Sequence, residues 1–116
     1  MPIVEVTYGA WISRPTLHRL AGVLPHAVSV AVECAEEPYD HVLEPGDVEV
    51  RFREIGPFDS TGLDAVVEVR SKWFESRATN RQQRGDLLHK TLIEVTQINR
   101  LGVYLSLPVA AWTQGD

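Results

Sequence analysis

The chain has 116 residues with 44% apolar and 23% charged side chains, the size and composition of a single globular domain with a real core. Its net charge of −5 argues against nucleic acid as a partner, and its apolar stretches are too short to cross a bilayer. Cys34 is the only cysteine, so no internal disulfide can form; a reducing, cytoplasmic setting and an ordinary apolar role for Cys34 are expected.

The first element opens at Pro2. Val4, Val6 and Tyr8 alternate with Glu5 and Thr7, which is strand periodicity. Pro2 has two readings. It either begins a strand where a missing N–H costs nothing, or, once Met1 is removed, it presents a free secondary amine. Such an amine titrates near about 8 when unperturbed, and burial or a neighbouring cation lowers that value, leaving a base at neutral pH. Ser13-Arg14-Pro15 then supplies a capping hydroxyl and a first-turn proline, and Leu17, Leu20, Ala21, Leu24, Val28, Ala31 and Val32 follow at helical spacing. Gly22 and Pro25 are expected to kink or weaken that helix.

Residues 35–46 read as a polar loop, with Glu36-Glu37-Pro38 and Pro45-Gly46-Asp47 as turn signals. A second strand follows in Val48, Val50 and Phe52, then a turn-rich stretch from Gly56 to Gly62. Ala65, Val67 and Val69 begin a third strand. Thr79-Asn80-Arg81-Gln82 has the form of a capping box and predicts the start of a second helix, whose buried stripe is Leu88, Thr91, Leu92, Val95 and Ile98 with Leu87 alongside. The last strand is expected over 103–109.

The order is β-α-β twice, in halves 1–55 and 63–110 of one 1–116 domain. Helical crossovers join parallel strands, so the pattern predicts an α/β (or α+β) fold: a four-stranded, mainly parallel-paired sheet with two helices on one face. The other face then carries Glu49, Arg51, Arg53, Glu68, Arg70 and Lys72, too charged for a second core and suited to solvent or neighbouring subunits. Arg51 and Arg53 lie on that face. Each is read either as a carboxylate clamp or as half of an ion pair, with the ion pair favoured for Arg53 and Arg70. The four histidines are scattered without metal-ligand spacing, and no metal site is expected.

Pro2, the duplicated order and the run Asn80-Arg81-Gln82-Gln83-Arg84-Gly85-Asp86-Leu87-Leu88 together resemble the tautomerase superfamily. Within it, the chain looks most like 5-carboxymethyl-2-hydroxymuconate isomerase. Asn99-Arg100-Leu101-Gly102-Val103-Tyr104-Leu105-Ser106 and Arg51-Phe52-Arg53 add local likeness, and Pro25 falls where that family has a proline in its first helix. The resemblance implies a homotrimer with helices outside and a cofactor-free, amino-terminal-proline isomerase of the kind used in aromatic degradation. It implies Pro2 as the catalytic base for a small carboxylated enol or keto substrate. Arg51 matches the carboxylate clamp, with Arg53 beside it on the same strand; Arg77 is a weaker match, its spacing to the Arg81-Gln82-Gln83 run differing by one. The loop at 35–46 is longer than in that family, and Trp73-Phe74 replaces a glycine-containing turn. Two alternatives remain open. One is a hydratase- or dehalogenase-type relative using Glu5, Glu49 or Glu75 as a further base; the other is a non-catalytic trimer of the same fold.

Overall fold

The computed structural model describes residues 2–37 and 47–115. Four strands, β1 (Ile3–Tyr8), β2 (Glu49–Glu54), β3 (Ala65–Arg70) and β4 (Leu101–Ser106), form one sheet in the order β2-β1-β3-β4. β1 runs parallel to β2 and β3 parallel to β4, as two β-α-β halves require; the halves meet through an antiparallel β1/β3 pair. The fold is therefore an α+β arrangement on a mixed sheet.

Alternation decides which face is covered. Val4 and Val6 of β1 stand beside Val67 and Val69 of β3, and all four are buried against Leu20, Leu24 and Val28 of α1 (Arg14–Val32) and Leu88 and Leu92 of α3 (Arg81–Thr96). Both long helices thus lie on the apolar face. The opposite face presents Glu5, Arg51, Glu68 and Tyr104 in a row across the four strands, as their register requires. β2 is an edge strand, which is why Phe52 remains exposed although its alternation matches that of the core residues.

α1 starts where its sequence indicates: the Ser13 hydroxyl accepts the Thr16 backbone N–H at 3.2 Å. The helix runs unbroken through Gly22 and Pro25. Pro25 cannot donate to the Ala21 carbonyl, and Ala21 lies on the exposed side of the helix. Its last turn holds no basic residue of its own. Instead Arg84 donates to Ala31 O at 2.9 Å and Glu33 O at 2.8 Å, and Arg77 donates to Val32 O at 2.7 Å.

The second half departs from expectation in three places. A short helix, α2 (Glu75–Ala78), precedes α3, and Thr79 closes it instead of capping α3: its N–H bonds Glu75 O and its hydroxyl bonds Ser76 O. Asn80 occupies the cap position of α3, but its side chain accepts from Arg84 Nε at 2.6 Å and caps no backbone N–H. Secondly, the buried stripe of α3 is Leu88, Leu92 and Thr96, leaving Leu87 and Val95 exposed. Thr96 tolerates burial because its hydroxyl donates to Leu92 O and accepts from Ile98 N–H. Thirdly, β4 spans 101–106, not 103–109; Val109 lies past the sheet and is 92% exposed. Of the loop expected over 35–46, all beyond Glu37 lies outside the described residues.

Candidate active site at the start of the central strand

Pro2 lies at the head of β1, a central strand, with its side chain fully buried and its carbonyl accepting the Glu49 N–H at 3.2 Å. The antiparallel register sets Ile3 opposite Arg70, so Pro2 comes level with Ser71, which is itself buried. α1 carries the chain from the end of β1 back to the level where β2 begins. This end of the sheet therefore collects the head of β1, the tail of β3, α2 and the last turn of α1. The element order does this without any unusual backbone geometry.

Charge surrounds that end. Glu5 takes Arg70 Nη2 at 2.6 Å and Arg51 Nη1 at 3.7 Å, and Arg51 Nε also lies 3.7 Å from Glu49. Among the described residues Arg70 Nε is buried without a hydrogen-bond partner. Arg70 is thus the arginine one register step from Pro2. Arg51, opposite Glu5, is three steps away, or about 10 Å at the usual rise per strand residue, and its side chain is 59% exposed. Arg53 sits opposite Thr7, about 16 Å from Pro2 by the same rise. It is paired with Asp59 at 3.0 Å, and the Asp59 carboxyl is held below the usual range first by the Gly56 N–H and then by Arg53.

Arg77 has a different setting. It is fully buried, donating through Nε to Val32 O and through Nη1 to Lys72 O at 2.6 Å and Glu37 at 3.4 Å. Its guanidinium carbon stands 5.4 Å from the Phe74 ring centre, with Lys72 Nζ 5.7 Å from the same centre. These bonds tie α1 to the segment that follows β3. Next to it the Ser76 hydroxyl donates to Glu36, and this bond holds the Glu36 carboxyl below its ordinary value. The four arginines therefore separate into three settings: Arg51 and Arg70 on the open sheet face at Glu5, Arg53 further along β2 and paired to the turn at Asp59, and Arg77 inside the fold.

The sequence favours an ion pair for Arg70, and Arg70 is paired, with Glu5. Its place opposite Ile3, within reach of Glu5, follows from the β1/β3 pairing, a contact between the halves that alternation along single strands does not encode. Lys72 and Trp73 share this end; Trp73 is partly exposed, while Phe74 packs beneath the two cations.

No protein-family model matches the sequence, and no curated protein matches it. Solved structures match in fold. Malonate semialdehyde decarboxylase, a protein with decarboxylase and hydratase activities, superposes with a TM-score of 0.67 at 15% identity, over 98% of this chain and 91% of that one. A fused 4-OT, crystallised as a symmetric trimer, gives 0.61 at 12% identity over 92% and 85%. A macrophage migration inhibitory factor-like protein from Entamoeba histolytica gives 0.60 at 12% identity over 93% and 89%. These neighbours are tautomerase-superfamily proteins, and what this chain shares with them at such identities is the fold.

Proposed function

We propose that the chain is a cofactor-free tautomerase or isomerase in which Pro2, freed of Met1, moves a proton between two carbons of a small carboxylated enol or unsaturated keto acid. The observation that carries this reading is Pro2 itself, fully buried at the head of a central strand. Burial disfavours the ammonium form, which favours a free amine that acts as a base at neutral pH. The amine takes a proton from carbon next to, or conjugated with, a carbonyl of a keto acid, or from the hydroxyl of an enol, leaving an enolate in either case. Electron density moves onto the carbonyl oxygen, and the ammonium returns the proton to the other carbon. Atoms balance with no cofactor.

Arginine answers the two negative charges in this scheme, the substrate carboxylate and the developing enolate oxygen. Arg51 is the proposed carboxylate clamp. Arg53 is proposed as its companion, reached across a subunit boundary because it lies too far along its own sheet. Arg77 is assigned a supporting part, holding the segment that walls the site. A homotrimer is the proposed assembly: neighbouring subunits cover the charged sheet face and carry arginines to Pro2. Resemblance to 5-carboxymethyl-2-hydroxymuconate isomerase favours ring-fission products as substrates.

A second reading is favoured by the malonate semialdehyde decarboxylase likeness. Here a protonated Pro2 assists water addition to an unsaturated acid, with Glu5 as the nearby carboxylate. Two measurements test the proposal. Intact mass of untagged protein is expected to show Met1 removed, and the enzyme to ketonise 2-hydroxymuconate or phenylenolpyruvate with a rate that Pro2→Ala abolishes. Retained Met1, or full activity in Pro2→Ala, would sink it; turnover of unsaturated acids alone would select the second reading.

A further inference from the structure

At the end of the sheet opposite Pro2 lies a cleft of about 440 Å³ between the first turns of α1 and the ends of β1 and β2. Its size falls within the usual range for small-molecule sites. Tyr8 and Phe52 form an aromatic wall, with ring centres 6.2 Å apart and planes inclined at 59°, and Ile12 and Leu17 continue the apolar surface. Two opposite charges open into the same space: Arg14, the first residue of α1, and Glu54, the last of β2. Among the described residues neither side chain makes a hydrogen bond or ion pair. They share one cleft and yet do not meet.

The walls are fixed. Gly9 N–H bonds Asp64 O at 2.9 Å, and the Trp11 indole bonds the Asp64 carboxylate at 2.9 Å, pinning the loop between β1 and α1 to the start of β3. Ile55 N–H bonds Tyr8 O at 2.8 Å and holds the end of β2 beside β1. A separated cation and anion on a rigid, partly aromatic cleft are complementary to a zwitterion with an apolar tail. A plain carboxylate would use Arg14 but face Glu54, and a plain amine would do the reverse.

We propose that this cleft binds a small apolar α-amino acid, with its carboxylate on Arg14, its ammonium on Glu54 and its side chain against Tyr8 and Phe52. The site is separate from the one at Pro2, and occupancy does not depend on the chemistry there.

Calorimetric titration with L-phenylalanine, N-acetyl-L-phenylalanine and L-phenylalaninamide tests the assignment, using wild type, Arg14→Gln, Glu54→Gln and Pro2→Ala. Wild type and Pro2→Ala are expected to bind the free amino acid alike. Either blocked analogue is expected to bind at least about tenfold more weakly, as loss of one charge-assisted contact implies. Arg14→Gln should erase the difference between amino acid and amide, and Glu54→Gln that between amino acid and N-acetyl derivative. No saturable binding of L-phenylalanine to wild type would overturn the proposal. Equal binding of the N-acetyl derivative would overturn it in favour of a simple carboxylate site, and loss of binding in Pro2→Ala would place the ligand at the other end of the sheet.

Discussion

Replacing Arg77 by methionine keeps the volume and apolar stem of the side chain and removes its charge and donors. Arg77 is fully buried and donates to two backbone carbonyls, Val32 O at 2.7 Å and Lys72 O at 2.6 Å. Hydrogen bonds from a charged donor contribute about 1.5–3 kcal/mol each, so the two together amount to roughly 3–6 kcal/mol. The Glu37 carboxylate, 17% exposed, loses its ion-pair partner as well. Against a total stability of about 5–15 kcal/mol this is a large fraction. The expected drop in Tm is on the order of 15 °C. Thermal unfolding followed by far-ultraviolet circular dichroism measures that drop and urea denaturation the free-energy loss, with Arg77→Lys expected to fall between wild type and Arg77→Met. A loss below about 1 kcal/mol in Arg77→Met would refute the reasoning. So would an unchanged unfolding midpoint accompanied by a raised KM, since that result would put the guanidinium on a ligand instead of on the α1 terminus.

Three further outcomes follow from particular contacts. Arg51→Ala should change stability by no more than about 0.5 kcal/mol, because its 3.7 Å pairs are solvent-exposed, while raising KM for a carboxylated substrate; equal losses in kcat and stability would contradict this. Ser76→Ala removes the hydroxyl that chiefly lowers the Glu36 pKa. A depressed folded-state carboxyl stabilises above the unfolded value, near about 4.3, and the contribution is lost as pH falls below it. The gap between wild-type and Ser76→Ala urea midpoints should therefore be wider at pH 7 than in acid, and an equal gap would refute the assignment. In Gly9→Ala, the new methyl would stand 2.3 Å from the Trp11 ring, so the indole must leave Asp64. A loss of about 1–3 kcal/mol and a shifted tryptophan emission are expected; unchanged fluorescence would show that the loop adapts without moving Trp11.

What the sequence revealed and what it hid divide along physical lines. Strand alternation around Val4, Val6, Val67 and Val69, and the Ser13-Arg14-Pro15 start, are local signals, and the sheet face and helix start they indicate are present. The Thr79 capping box is equally local but was overridden: the hydroxyl of Thr79 is engaged by α2, a four-residue helix too short to leave a periodic trace. Long-range pairings were the harder part. Arg70 comes opposite Ile3, and Ser71 level with Pro2, because the two halves join antiparallel, and Arg77 is buried where it donates to the Val32 carbonyl at the end of α1. Neither fact is written in the neighbouring residues. The same holds for the cleft at Arg14 and Glu54, which are 40 residues apart in the chain and share a wall only through the β1/β2 register.

Catalysis by a neutral Pro2 amine is read most directly in the pH dependence of kcat/KM for enol ketonisation, which reports that group in the free enzyme. An ascending limb is expected with an apparent pKa below the ordinary value of about 8 for an α-amino group, absent from any residual activity of Pro2→Ala. The same limb persisting in Pro2→Ala would contradict it and assign the base to another residue.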